Sequence, residues 1–268
     1  MKIFDCFIFF NENLLTEIRL NLLNNHVDYF VISESQYDHR GNFKGYLFDE
    51  KKFKKFQKKI IYLKIDSFPL NLGVWERQDF QRNYLKNGLL NADKDDLIIY
   101  SDADEIINPK IIHKMHNLGS WVGICDQLCF YYKLNLLSNQ YKNSWEGSRV
   151  VKFKFLKSFN WLRSLSKKNL KYKFYRFDKF KKIIVFKNGG WHFSYLMTEA
   201  DMQKKIKAWT HSELDTKENS KIEVIQERVK KGIDLFGRKI EYNKINFDEK
   251  NFPKYLLENK EKYKRWII

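Results

Sequence analysis

The chain has 268 residues, 43% of them hydrophobic and 17% aromatic, ample for a buried core and enough to exclude global disorder. Lys and Arg number 50 against 33 Asp and Glu, a formal charge of +17, which favours nucleic acid, anionic lipid or phosphorylated substrates without choosing among them. Cys6, Cys125 and Cys129 are too few for a disulfide scaffold, and the longest early apolar run, Phe7 to Phe10, is too short for a signal segment or membrane span.

In chain order, Lys2 to Phe10 reads as a strand, and Leu15, Ile18 and Leu22 then recur at helical spacing over Leu14 to Asn24. Asp28 to Ser33 is a buried-strand pattern, followed by a looser, Gly-bearing stretch, Ser35 to Leu47, long enough for a binding loop. Phe53 and Phe56 sit in a basic helix-like segment, and Ile60 to Ile65 is a third strand. Trp75 to Lys86 reads as a helix ending at Gly88, and Leu97 to Tyr100 as a central strand that runs into Ser101-Asp102-Ala103-Asp104-Glu105. This alternation predicts an α/β fold with a mostly parallel central sheet flanked by helices, whose ligands collect beyond the carboxyl ends of the strands.

The second half is less regular. Ile124 to Leu134, Arg149 to Phe155 and Ile183 to Phe186 look like strands; Thr198 and Asp201 form a capping pattern before a helix with the stripe Met202, Ile206 and Trp209; Glu223 to Lys231 is another helix. No repeat or low-complexity linker interrupts the chain, so a single domain over residues 1–268 is expected.

Asp102 and Asp104 are two residues apart, so in an extended segment both carboxylates project to one side and can hold one Mg²⁺ or Mn²⁺ together with a diphosphate. Acidic pairs at strand ends are also common as turn and cap residues. His192 follows the paired glycines of Asn188-Gly189-Gly190-Trp191, where the backbone could approach a ligand and the imidazole complete a metal site; a histidine bonded within an aromatic core is the plainer alternative. Arg77 and Arg82 share one helix and could meet phosphate, although surface ion pairs are the commoner use. The absence of a Gly-rich phosphate loop and of a nucleophile elbow removes the main support for a kinase, dehydrogenase or serine hydrolase.

Taken together, Asp5-Cys6-Phe7 through Glu17-Ile18-Arg19-Leu20 with Val27 to Ser35, the Trp75 to Asn83 helix, Asp95-Asp96-Leu97 through Glu105-Ile106, and Gly190-Trp191-His192-Phe193-Ser194, with a weaker echo at Pro253 to Asn259, span nearly the whole chain. The combination resembles glycosyltransferase family 17, the group that includes the β-1,4-mannosyl-glycoprotein N-acetylglucosaminyltransferase. The resemblance implies a GT-A type nucleotide-sugar-binding fold, a divalent metal, Mn²⁺ or Mg²⁺, on the Asp-x-Asp, and inverting transfer from a UDP-sugar such as UDP-GlcNAc. It divides the domain into a nucleotide-sugar half, 1–107, and an acceptor half, 108–268. The anchor and stem of the animal members are not seen, so the expected setting is cytoplasmic, peripheral at the inner membrane face, with a lipid-linked or lipopolysaccharide-type acceptor glycan.

On this reading Asp102, Asp104 and His192 hold the metal, with Asp104 also counted catalytic. Glu34 contacts the uridine or ribose, and Arg77, Arg82 and Asp102 complete the nucleotide-sugar site. Glu213 is the expected catalytic base, because inverting transfer needs a carboxylate to take the acceptor proton. Tyr131, Tyr132 and Trp145 are candidates for stacking on acceptor sugars or for ordinary core positions. The rivals are a non-enzymatic polyanion or nucleic-acid binder, which predicts steep salt dependence and indifference to Asp102→Ala, and a metal-dependent nucleotidyltransferase or phosphotransferase using the same pair.

Overall fold

The computed structural model describes residues 1–140, 144–208 and 210–268. Its first half runs β1 (Ile3–Phe9), α1 (Asn13–Leu23), β2 (Tyr29–Ser35), β3 (Ile60–Ile65), α2 (Val74–Tyr84), β4 (Leu97–Ser101) and β5 (Glu105–Ile107). There follow β6 (Val122–Tyr131), β7 (Leu136–Ser138), β8 (Trp145–Lys152), α3 (Phe159–Ser164), β9 (Ile183–Ser194), α4 (Glu199–Ala208), α5 (Ile222–Lys231), β10 (Tyr242–Lys244) and α6 (Lys254–Glu258).

Among the described residues one sheet joins all ten strands, with the path β10-β7-β6-β8-β4-β1-β2-β3 and with β9 against β5 and β6. Strands β4, β1, β2 and β3 are mutually parallel, β8 and β7 continue the sheet antiparallel, and β9 runs parallel to β6. The α/β fold expected from the sequence is therefore the one observed. Alternating residues of β1 and β4 enter two cores: Phe7, Phe9, Leu97 and Ile99 face one, and Phe4, Cys6, Ile98 and Tyr100 the other. Burial on both faces explains why these strands read as continuous apolar runs.

Two glycine expectations change. Gly88 does not close the helix from outside; it lies within a 3-10 segment, Leu85–Leu89, where a Cβ would collide with Val31 of β2. The paired glycines before His192 serve strand packing, not ligand approach. A Cβ on Gly189 would lie 2.6 Å from Cys125 Cβ, and one on Gly190 would strike the Ile106 carbonyl. They sit at a bulge in β9, where its pairing with β6 shifts register between Phe186 and Gly190 before the strand goes on through His192 to Ser194.

The capping pattern ahead of α4 forms as Thr198 Oγ1 accepting from the Asp201 amide at 3.2 Å and donating to its carboxylate at 2.6 Å. Met202 and Ile206 are buried beneath α4 as its stripe predicts, while Trp209 lies outside the described residues.

Candidate active site

The register brings Phe9, Glu34 and Ser101 to the same edge of the parallel strands. Beyond that edge lies a cleft of about 430 Å³ whose wall includes Asp102, Asp104, Arg82, Arg163, His192 and Lys205. A second cavity of about 720 Å³ adjoins it across Glu12 and Lys44. Asp102 and Asp104 share the first cleft through a turn, not through strand alternation: the Glu105 amide donates to the Asp102 carbonyl at 3.0 Å.

That turn is held from below by Arg19 of α1, which is fully buried. Its guanidinium forks onto Asp5 at 2.7 and 3.0 Å, and its third nitrogen donates to the Glu105 carbonyl at 2.9 Å. A bidentate charged pair of this kind fixes orientation as well as contributing energy.

Each acidic side chain has a cation brought by a separate helix. Arg163 of α3 donates to Asp102 Oδ2 at 2.7 Å and to Glu105 Oε1 at 3.3 Å, and the Tyr100 hydroxyl donates to Asp102 Oδ1 at 2.9 Å. Arg82 of α2 in turn donates to the Tyr100 hydroxyl at 2.8 Å. Lys205 of α4 lies 3.5 Å from Asp104 and 3.3 Å from Glu12. Burial alone would push both aspartates up, but Arg163 and Arg82 hold Asp102 below the usual carboxylate range, and Lys205 and His192 do the same for Asp104. Both carboxylates are therefore ionised at neutral pH.

His192 sits between Cys129 on β6 and Glu105 on β5. Its Nδ1 is 3.3 Å from Cys129 Sγ, its Nε2 3.6 Å from Asp104 Oδ1, and Trp145 stacks on its ring at 4.4 Å. Burial lowers its pKa, yet Cys129 and Asp104 outweigh burial and raise it. Among the described residues no group of three or more His, Cys, Asp or Glu could hold a metal. Asp104 and His192 could still lend a divalent ion one oxygen and, with the imidazole neutral, one ring nitrogen. Asp102, expected beside them as a ligand, is engaged by Tyr100 and Arg163.

The other expected residues divide. Arg82 and Trp145 line the cleft, Trp145 donating its indole N–H to Glu105 Oε1 at 2.8 Å. Tyr131 also lines it, whereas Tyr132 is buried in the core beneath α4 and α5 and donates to the Ile233 carbonyl. Arg77 bonds the His39 carbonyl at 3.1 Å and is not on the cleft wall. Glu34 is fully buried, and its oxygens accept from Lys44, Tyr62 and the Leu47 and Phe48 amides, so it anchors the 36–48 loop instead of meeting a nucleotide. Glu213 is exposed, bonded to His211 Nδ1 at 2.6 Å, and outside the cleft wall; that bond lowers its pKa and removes the ground for reading it as the base.

Sequence reasoning missed Arg163, Lys205 and Thr210, and assigned no role to Glu105 although it stands in the acidic cluster. The Thr210 hydroxyl is buried on the cleft wall with no partner among the described residues.

Residues 1–267 match the family model of Glycosyltransferase family 17. The chain belongs to that family. As a family 17 member it is a glycosyltransferase. Among the curated proteins none matches it.

Solved structures similar to this family 17 chain include S. aureus TarS 1-349, at 15% identity and TM-score 0.38 over 85% of this chain and 71% of that one. A glycosyltransferase involved in the glycosylation of the major capsid of PBCV-1 is 12% identical, with TM-score 0.31 over 70% of this chain and 82% of that one. The galactosyltransferase LgtC, in complex with donor and acceptor sugar analogs, is 15% identical, with TM-score 0.32 over 60% of this chain and 59% of that one.

Proposed function

We propose that this family 17 glycosyltransferase, in a GT-A type arrangement, moves N-acetylglucosamine from UDP-GlcNAc to a hydroxyl of a lipid-linked or lipopolysaccharide-type glycan, inverting the anomeric carbon. The observation that carries the reading is the convergence of Arg82, Arg163 and Lys205 on two ionised aspartates at the carboxyl edge of a parallel sheet. A nucleoside diphosphate is the ligand such a cleft suits, because it brings negative charge to the cations while its ribose hydroxyls can donate to a carboxylate.

In this mechanism Asp104 and His192 would hold the metal, and Asp102, fixed by Arg163, would receive the ribose. The metal, when bound, neutralises charge on the departing UDP. Lys205 and Arg163 add fixed positive charge on the same side, in a cleft where water is partly excluded and such charges act strongly. Asp38 replaces Glu213 as the group we assign to take the acceptor proton. It lies on the cleft wall and accepts its bonds from neutral Asn42 at 2.8 and 2.9 Å, so an arriving hydroxyl need not displace a cation.

Thermal stabilisation by a panel of nucleotide sugars, with and without Mn²⁺, tests the proposal on wild type and Asp104→Ala. A shift with UDP-GlcNAc that needs both metal and Asp104 is expected, since ligand binding to the native state stabilises it by mass action. A shift that survives removal of the metal takes the metal out of the mechanism and leaves the diphosphate to Lys205 and Arg163. Turnover must release UDP; release of pyrophosphate would make the enzyme a nucleotidyltransferase and defeat the proposal.

A further inference from the structure

The segment between α3 and β9 lies outside both cavities. It nevertheless carries the two most exposed phenylalanines of the described residues, Phe174 at 85% and Phe177 at 89%. Residues 167–182 contain seven lysines and one arginine against a single aspartate. Two large rings left in water within so basic a stretch are costly for an isolated protein, and large exposed apolar groups rimmed by charge mark an interaction surface.

The loop is built, not merely solvated. Asn169 Nδ2 donates across its base to the Phe180 carbonyl at 3.1 Å, and the Phe180 ring packs on Trp161 at 5.3 Å. Lys181 Nζ donates to the carbonyls of Lys173 and Phe174 at 2.7 and 2.8 Å, and the Arg176 amide closes a turn on the Lys173 carbonyl at 3.0 Å. Asp178, the one acid, is neutralised within the loop by Arg176 at 2.7 Å. Lys167 is paired with Asp126 at 2.8 Å and Lys179 with Asp178 at 3.5 Å, so the two phenylalanines stand exposed among the remaining lysines of a stretch that keeps a net positive charge.

We propose that this loop docks the protein on an anionic lipid surface, with Phe174 and Phe177 entering the boundary between headgroups and acyl chains and the surrounding lysines lying against lipid phosphates. Charge complementarity selects the anionic lipid, and the projecting rings supply the apolar insertion that a purely electrostatic contact lacks. Single-stranded nucleic acid is the less suitable partner, because it is stacked on aromatic platforms along a groove, and these rings line neither of the two cavities. The inference does not rest on sugar transfer in the cleft.

Co-sedimentation with vesicles of phosphatidylglycerol in phosphatidylcholine, against vesicles of phosphatidylcholine alone, tests it at low salt. Wild type is expected to bind only the anionic vesicles. Phe174→Ser with Phe177→Ser, and separately Lys168→Glu with Lys171→Glu, should each weaken that binding by about tenfold or more. The phenylalanine variant should melt at the wild-type temperature, since both rings are exposed. Failure of wild type to bind anionic vesicles, or unchanged binding by the phenylalanine variant, would overturn the proposal. So would tighter binding of a single-stranded oligonucleotide that the same substitutions abolish, which would assign the loop to nucleic acid.

Discussion

Asp102 and Asp104 are legible because they stand two residues apart directly after an apolar strand; their partners are not. Arg163 and Lys205 reach them from 61 and 101 residues away, and in a chain so rich in lysine and arginine nothing local distinguishes those two. Glu34 gave the same signal as Asp102, an acid at the end of a strand, but the 36–48 loop folds over it and uses its oxygens. Arg163→Ala should cost about 2 to 3 kcal/mol in urea unfolding, because Glu105 stays buried without its cation; Arg163→Lys should restore part of this, since charge returns without the fork. His39, on the cleft wall, gives a pH signature. Burial holds its pKa down to about 4, against the bond that its Nε2 makes to Gln81 Oε1. A histidine kept neutral in the folded state leaves the protein at full stability above its unfolded pKa near 6.5, and protonation favours the unfolded chain as pH falls toward 4. Thermal melts of His39→Gln should lack the part of that decline, about 2 to 3 kcal/mol, which wild type shows between those values.

Among the elements, the parallel strands were readable because burial on both faces leaves a plain apolar run. The sequence pattern of β9 ends at Phe186, since Asn188, Gly189 and Gly190 look like a loop; they form a bulge instead, with Asn188 at φ 53° and Gly190 at φ 137°, where neighbouring β5 and β6 leave no room for a side chain on either glycine. Gly190→Ala should therefore detach β5 from β9 and displace His192, seen as loss of soluble folded protein, or as a large drop in melting temperature with loss of UDP-sugar binding. Helix α1 was predicted from its apolar stripe, but the role of its one arginine lay in tertiary structure. Arg19→Met strands Asp5 in the core and should cost about 3 to 5 kcal/mol, whereas Arg19→Met with Asp5→Leu should recover much of that stability. The double variant should still bind UDP-sugar poorly, because the Asp102–Glu105 turn has lost the donor that holds its backbone. Equal recovery of stability and binding would mean that Arg19 serves the fold alone.

At the scale of the whole molecule, the charge of +17 was visible at once, but its division was not. Arg82, Arg163 and Lys205 are partly or fully buried at the cleft and already face carboxylates, whereas the lysines of 167–182 surround an exposed loop with one acid among them. These two groups must answer salt differently. Exposed charges lose their reach as the screening length falls from about 10 Å at 0.1 M to about 3 Å at 1 M, and partly buried pairs are screened much less. Vesicle binding through the loop should therefore collapse across that range, while the dissociation constant of UDP-sugar, measured calorimetrically with metal held constant, should change only several-fold. Parallel loss of both would place one common basic surface behind the two ligands, and the separation of cleft from loop would fail.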